Sequence, residues 1–156
     1  MSRIVIILFT LVLLSCQNND KSPKTPPRVA PQVPQLQEVP YPQAPNDLLE
    51  DIARRGDYID YLFYRFPISM NRDGNDKVRE GLMQLVRQTP RTYAGCQADG
   101  RVFFQSQGQV IVEADLFIQE GCFYMLFYKD GQPAYANALS SDAIQFFSNI
   151  TQQFRK

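Results

Sequence analysis

The sequence predicts an α+β domain with helices on one face of an antiparallel sheet. Three observations carry this. Two stretches after residue 45 place apolar residues at helical spacing. A central stretch alternates with period two. Asp130-Gly131 supplies a tight-hairpin signal, because glycine tolerates the positive φ of a type I′ turn. The expected order is two helices, a meander of about four strands, and one C-terminal helix.

The first helix is expected to start at an Asn46 cap and run to about Phe66. Leu48, Ile52, Ile59, Leu62 and Phe66 would form its apolar stripe, Gly56 would be a weak point, and Pro67 would end it. A second helix is expected from about Asp76 to Gln88, with Val78, Leu82, Leu85 and Val86 inward and Asn75 or Asp73 as cap.

The period then changes. Val110, Val112, Ala114, Leu116 and Ile118 mark one face of a strand, flanked by Arg101–Gln105 and Cys122–Lys129. Gln107-Gly108 and Glu120-Gly121 punctuate the turns, and residues 135–138 form the returning strand. Ser140 or Ser141 caps the last helix, with Ile144, Phe147, Ile150 and Phe154 inward. The residues of "FYMLFY", Phe123 to Tyr128, are apolar on both faces, so this sheet needs two covers. Either the three helices supply both, or a partner supplies one.

Cys96 and Cys122 are expected to pair. In a flat meander with Thr92–Cys96 as its first strand they would lie about 14 Å apart, beyond the ~7 Å a disulfide allows between Cα atoms. Either the sheet curls strongly, or residues 91–97 cross over rather than pair in order; the crossover is the preferred expectation.

Several residues are candidates for chemistry or contact. "SMNRDGNDKVRE", Ser69 to Glu80, partly fits a calcium loop, with Asn71, Asp73 and Glu80 as ligands. Ser69 stands where Asp is needed, and the alternative is a polar loop before a helix. Tyr58 and Tyr61 lie off the expected helix stripe, with Arg65 one turn on, so the three form a possible contact surface. Plain packing is the alternative. Glu113 and Asp115 share a strand face roughly 7 Å apart. Paired carboxylates can hydrolyse glycosidic bonds, and a solvated polar face is the rival reading. No Gly-rich phosphate loop is present. The chain has no histidine, which excludes His-activated nucleophiles within the chain and imidazole metal ligands. No cofactor is implied.

The front of the chain is a different material. Arg3 precedes an apolar run from Ile4 to Leu14, the layout of a secretory signal. Leu13-Leu14-Ser15-Cys16 resembles the lipobox of bacterial lipoproteins. The resemblance implies cleavage after Ser15 and diacylglyceryl modification of Cys16, then usually acylation of its amino group. At ~0.8 kcal/mol per buried methylene, one chain anchors marginally and two or three hold firmly. Gln17, where Asp would resemble an inner-membrane retention signal, leans the assignment to the outer membrane. An exported, oxidising compartment also suits a Cys96–Cys122 disulfide.

Residues 16–45 read as a tether. Eight of the 11 prolines lie there, and such a segment favours polyproline II over a packed core. The domain is expected to span residues 46–156. Loss of Arg3 with the signal leaves 15 basic against 16 acidic residues, a balance that does not suggest nucleic-acid binding. The functional expectation is a lipid-anchored cell-envelope protein. It would meet the membrane through Cys16 and present a small non-catalytic domain to an envelope protein partner, as an assembly factor, docking factor or inhibitor. A carboxylate-based wall hydrolase and a carrier of a small apolar ligand are the alternatives.

Overall fold

The computed structural model describes residues 37–154. The expected signal segment 1–15, Cys16 and the tether as far as residue 36 lie outside the described residues.

The elements are α1 (Asn46–Arg55), β1 (Tyr58–Phe63), β2 (Ser69–Asp73), α2 (Asn75–Met83), β3 (Gly100–Ser106), β4 (Gln109–Gln119), β5 (Cys122–Lys129), β6 (Gln132–Ala138) and α3 (Ser141–Gln152). The fold is α+β, but the single sheet has six strands, ordered β2-β1-β3-β4-β5-β6, all antiparallel. The expected meander is β3 to β6. Strands β1 and β2 replace what was expected as the end of a helix and a polar loop, the stretch also weighed as a calcium loop.

The first helix ends at Arg55 rather than Phe66. Gly56 has an extended backbone and packs so closely that a Cβ there would sit 2.7 Å from the Ile52 carbonyl oxygen and 2.8 Å from Val78 Cγ1. The chain leaves the helix there. Ile59, Tyr61 and Phe63 then point inward and Tyr58, Asp60 and Leu62 outward, the period of a strand rich in aromatics. The second helix stops at Met83, five residues short of the expected end. Its N-cap is Gly74, with no side-chain cap. Asn75 instead donates from Nδ2 to the Ala53 and Gly56 carbonyls, and Arg79 Nε to Ala53. The open carbonyl end of α1 is thus closed by α2.

All three helices lie on one face of the sheet. Ile52 of α1, Val78 of α2, and Ala143 and Phe147 of α3 join the inward residues Ile59, Tyr61, Phe63, Val102, Phe104, Ala114, Leu116, Met125 and Phe127 in one core. Phe147 is fully buried, its ring 5.7 Å from Tyr61 and 6.3 Å from Phe63. Ser140 caps α3, its Oγ accepting from the Ala143 N–H at 3.1 Å. The buried stripe of α3 is Ala143, Phe147 and Thr151, so Phe154, expected inward, is exposed. Turns at Gln107-Gly108 and Asp130-Gly131 have positive φ at both residues, as I′ turns require.

The outer face of the sheet has a smaller core of its own: Phe117, Cys122, Tyr124, Leu126 and Ala136. Among the described residues no helix covers it. Tyr41, Cys96 and Ala98 do. Residues 37–45, expected as the end of the tether, are therefore part of the folded structure. Two segments, 37–45 and 84–98, run together round the β6 edge. Val39 N–H donates to the Thr92 carbonyl at 2.8 Å, and Thr92 Oγ1 donates back to the Val39 carbonyl. Ala136 N–H donates to Pro42, Ala138 N–H to Gln88, and Val86 N–H to Ala138. Asn137, 1% exposed, holds both segments. Its Oδ1 accepts from Ala44 N–H at 2.9 Å and its Nδ2 donates to the Val86 carbonyl at 3.3 Å. Residues 91–97 lie outside the sheet, the preferred expectation from the cysteine spacing, and a disulfide joins Cys96 to Cys122 with Cα atoms 6.1 Å apart.

Candidate functional site

The outer face divides in two. Over β5 and β6 it is sealed by the wrapping segments. Over β2, β1, β3 and the start of β4 nothing among the described residues lies on it. Cross-strand register places Tyr58 beside Asp73 and Gln105, Asp60 beside Asn71 and Phe103, and Leu62 beside Ser69 and Arg101. Phe103 and Arg101 in turn face Glu113 and Asp115. Leu62 and Tyr64 are 46% and 52% exposed, and Tyr58 and Phe103 are half-buried.

At the seam between the halves sits a polar cluster. Arg101 Nε donates to Asp115 Oδ1 at 2.9 Å and its Nη1 to Glu113 Oε2 at 3.3 Å. Tyr128 donates its hydroxyl to Asp115 Oδ2 at 2.7 Å, and the Arg101 guanidinium lies 4.6 Å from the Tyr128 ring centroid. The Asp115 bond is the largest cause that raises the Arg101 pKa. Tyr128 is pushed up to about 12, by desolvation first and then by Asp115.

Glu113 and Asp115, weighed as an acid–base pair, are thus held by a single arginine, and both Asp115 oxygens are bonded. Neither lines the groove of about 620 Å³ between α1 and the β5–β6 hairpin, where Asp47, Asp51, Arg54, Tyr128 and Lys129 lie. Their arrangement is that of a clamp between β3, β4 and β5.

The residues expected as an interface are scattered. Tyr61 is 1% exposed and belongs to the helix-side core; burial raises its pKa. It cannot contact a partner. Arg65 pairs with the buried Asp99 at 2.6 Å. Asp99 Oδ2 also accepts from Ile118 N–H at 2.8 Å, which ties the end of β1 to β4. Tyr58 is on the open face, and the Arg65 side chain is 45% exposed. Helical spacing groups Tyr58, Tyr61 and Arg65, whereas strand spacing groups Tyr58, Asp60, Leu62 and Tyr64.

The residues weighed as calcium ligands, against an expectation of no metal, are also dispersed. Asn71 and Asp73 stand on β2, and Glu80 on α2 pairs with Lys77 at 2.7 Å and with Arg72. A strand followed at once by a helix leaves no ligand loop. No cluster of three or more metal-ligating side chains occurs among the described residues. No helix there is long and apolar enough to cross a membrane.

Leu62, Tyr64, Phe103, Arg101 and Tyr128 were missed by sequence reasoning as surface residues. The run "YIDYLFY" has one polar residue, Asp60, and so offers no clear alternation to set against the helix expected there. No protein-family model matches the chain, and no curated protein or solved structure matches it significantly.

Proposed function

We propose that this chain is a lipid-anchored cell-envelope protein whose α+β domain binds an envelope protein partner through the open half of the outer sheet face. One observation carries the binding surface. The chain uses two segments and a disulfide to seal half of that face and leaves Leu62 and Tyr64 about half exposed on the other. Exposed apolar residues grouped on one face mark interaction sites, and tyrosine and arginine are favoured there. A non-catalytic role is supported by the carboxylates Glu113 and Asp115, which are committed to Arg101 and Tyr128. The anchor rests on the signal layout and on the Leu13–Cys16 motif, and the outer membrane is the proposed location.

The test is a photo-crosslinking residue at Leu62 in the lipidated chain, in living cells. Met83, 79% exposed on the helix side, is the control position. The expected result is one dominant adduct from Leu62 that disappears with Tyr64→Ser and is not formed from Met83. Equal adducts from both positions, or none from Leu62, would overturn the reading. Mass spectrometry of the mature amino terminus checks acylation of Cys16.

A further inference from the structure

The sheet has two outer strands, and only one is closed. At β6 the outward backbone groups of Ala136 and Ala138 bond to Pro42, Gln88 and Val86. At β2 the parity of the ladder is fixed by Phe63 N–H donating to Ile68 and Gly74 N–H donating to Asp57. Residues 68, 70, 72 and 74 therefore face β1, and Ser69, Asn71 and Asp73 present their N–H and C=O groups outward. Among the described residues no hydrogen bond reaches these backbone groups.

Proteins usually blunt such an edge with lysine, proline or a bulge. Strand β2 reads Ser-Met-Asn-Arg-Asp and pairs with β1 in unbroken register. Its one cation, Arg72, is turned to the helix side and bound to Glu80. The charge next to this edge is negative. Asp57, Asp60 and Asp73, with Tyr58 and Gln105, line an open hollow of about 550 Å³ on the outer face. On the other face, the half-buried Met70 packs against the core.

We propose that β2 takes up an extended segment of the partner as a seventh strand, with lysine or arginine at alternate positions and apolar residues between. The proposal rests on the binding reading above and adds its chemistry. Backbone bonds to Ser69, Asn71 and Asp73 give the register. Side chains on the outer face meet Asp73 directly, and long cationic ones reach towards Asp60 one strand further in. Side chains on the helix face extend the apolar surface of Met70.

The test uses the lipidated full chain in detergent micelles and an end-blocked hexapeptide of alternating lysine and valine. Amide shifts are expected at Ser69, Asn71 and Asp73, with Ala136 and Ala138 unmoved. A glutamate–valine peptide should produce none. Asn71→Pro removes one outward N–H at an edge position that tolerates proline, and should weaken binding at least tenfold. Asp60→Asn with Asp73→Asn leaves the backbone alone and should weaken it about threefold or more, with less dependence on salt. Shifts scattered over the surface, or equal binding by the glutamate peptide or by these variants, would overturn the proposal. If a Leu62 adduct forms in cells while the β2 amides ignore the peptide, strand addition fails and the docking face stands. If the β2 amides respond while Leu62 gives no adduct, strand addition holds and the docking face as drawn fails.

Discussion

The β6 and β2 edges of this sheet expose the same kind of backbone group, yet the chain treats them differently. At β6, residues 37–45 and 84–98 wrap the edge, are held by Asn137, and are tied to β5 through Cys96–Cys122. At β2 the strand is short, its outward groups are bare, and the neighbouring face carries Leu62 and Tyr64 in the open. A free edge invites aggregation, so sealing one and not the other is informative. In our proposal the sealed side serves stability and the bare side recognition.

The largest effect should come from unwrapping the sealed side. A chain shortened to begin at Asn46 loses Tyr41 and the Val39–Thr92, Pro42–Ala136 and Ala44–Asn137 bonds. It should lose about 4 kcal/mol or more by urea unfolding relative to one beginning at Gln37. Equal stability of the two would break the comparison. Next comes the disulfide: replacing Cys96 and Cys122 by alanine should lower stability by ~3 kcal/mol, under a loop-entropy account that is model-dependent.

A smaller effect concerns pH. Tyr124 and Tyr128 are both pushed up to about 12, chiefly by desolvation. Their unfolded forms ionise near pH 10, so the unfolded state gives up its protons first as pH rises. Their contribution is complete below about pH 10 and is lost as pH approaches 12. Urea midpoints should fall through this window, and Tyr124→Phe should flatten the fall. The smallest stability effect belongs to the bare side. Leu62→Ser and Tyr64→Ser should each change stability by only about 0.5 kcal/mol and still abolish the crosslinked adduct. A loss of several kcal/mol there would mean that the open face is structural.

Much of this fold is legible in the sequence. The meander from β3 to β6 announces itself through the alternation along β4 and three glycine turns, and Ser140 marks the start of α3. Cysteine spacing favoured a path in which residues 91–97 leave the sheet. Strand β1 was hidden because "YIDYLFYRF" is apolar at nearly every position and satisfies helical and strand periods alike. The six residues between Ile52 and Ile59, Ala-Arg-Arg-Gly-Asp-Tyr, were the weak signal of a break. Strand β2 was hidden for the opposite reason: an edge strand buries little, so no apolar pattern is imposed on it. The wrap by residues 37–45 was hidden by proline. Its bonds use the N–H groups of the non-proline residues Val39 and Ala44 and carbonyls such as Pro42's, which proline keeps.

Amide hydrogen exchange on the full chain tests the contrast between the edges most directly. In the isolated protein, Ala136 and Ala138 should exchange slowly, and Ser69, Asn71 and Asp73 close to the rate of an unstructured chain. Slow exchange of Ser69, Asn71 and Asp73 in the protein alone, matching that of Ala136 and Ala138, would contradict the account.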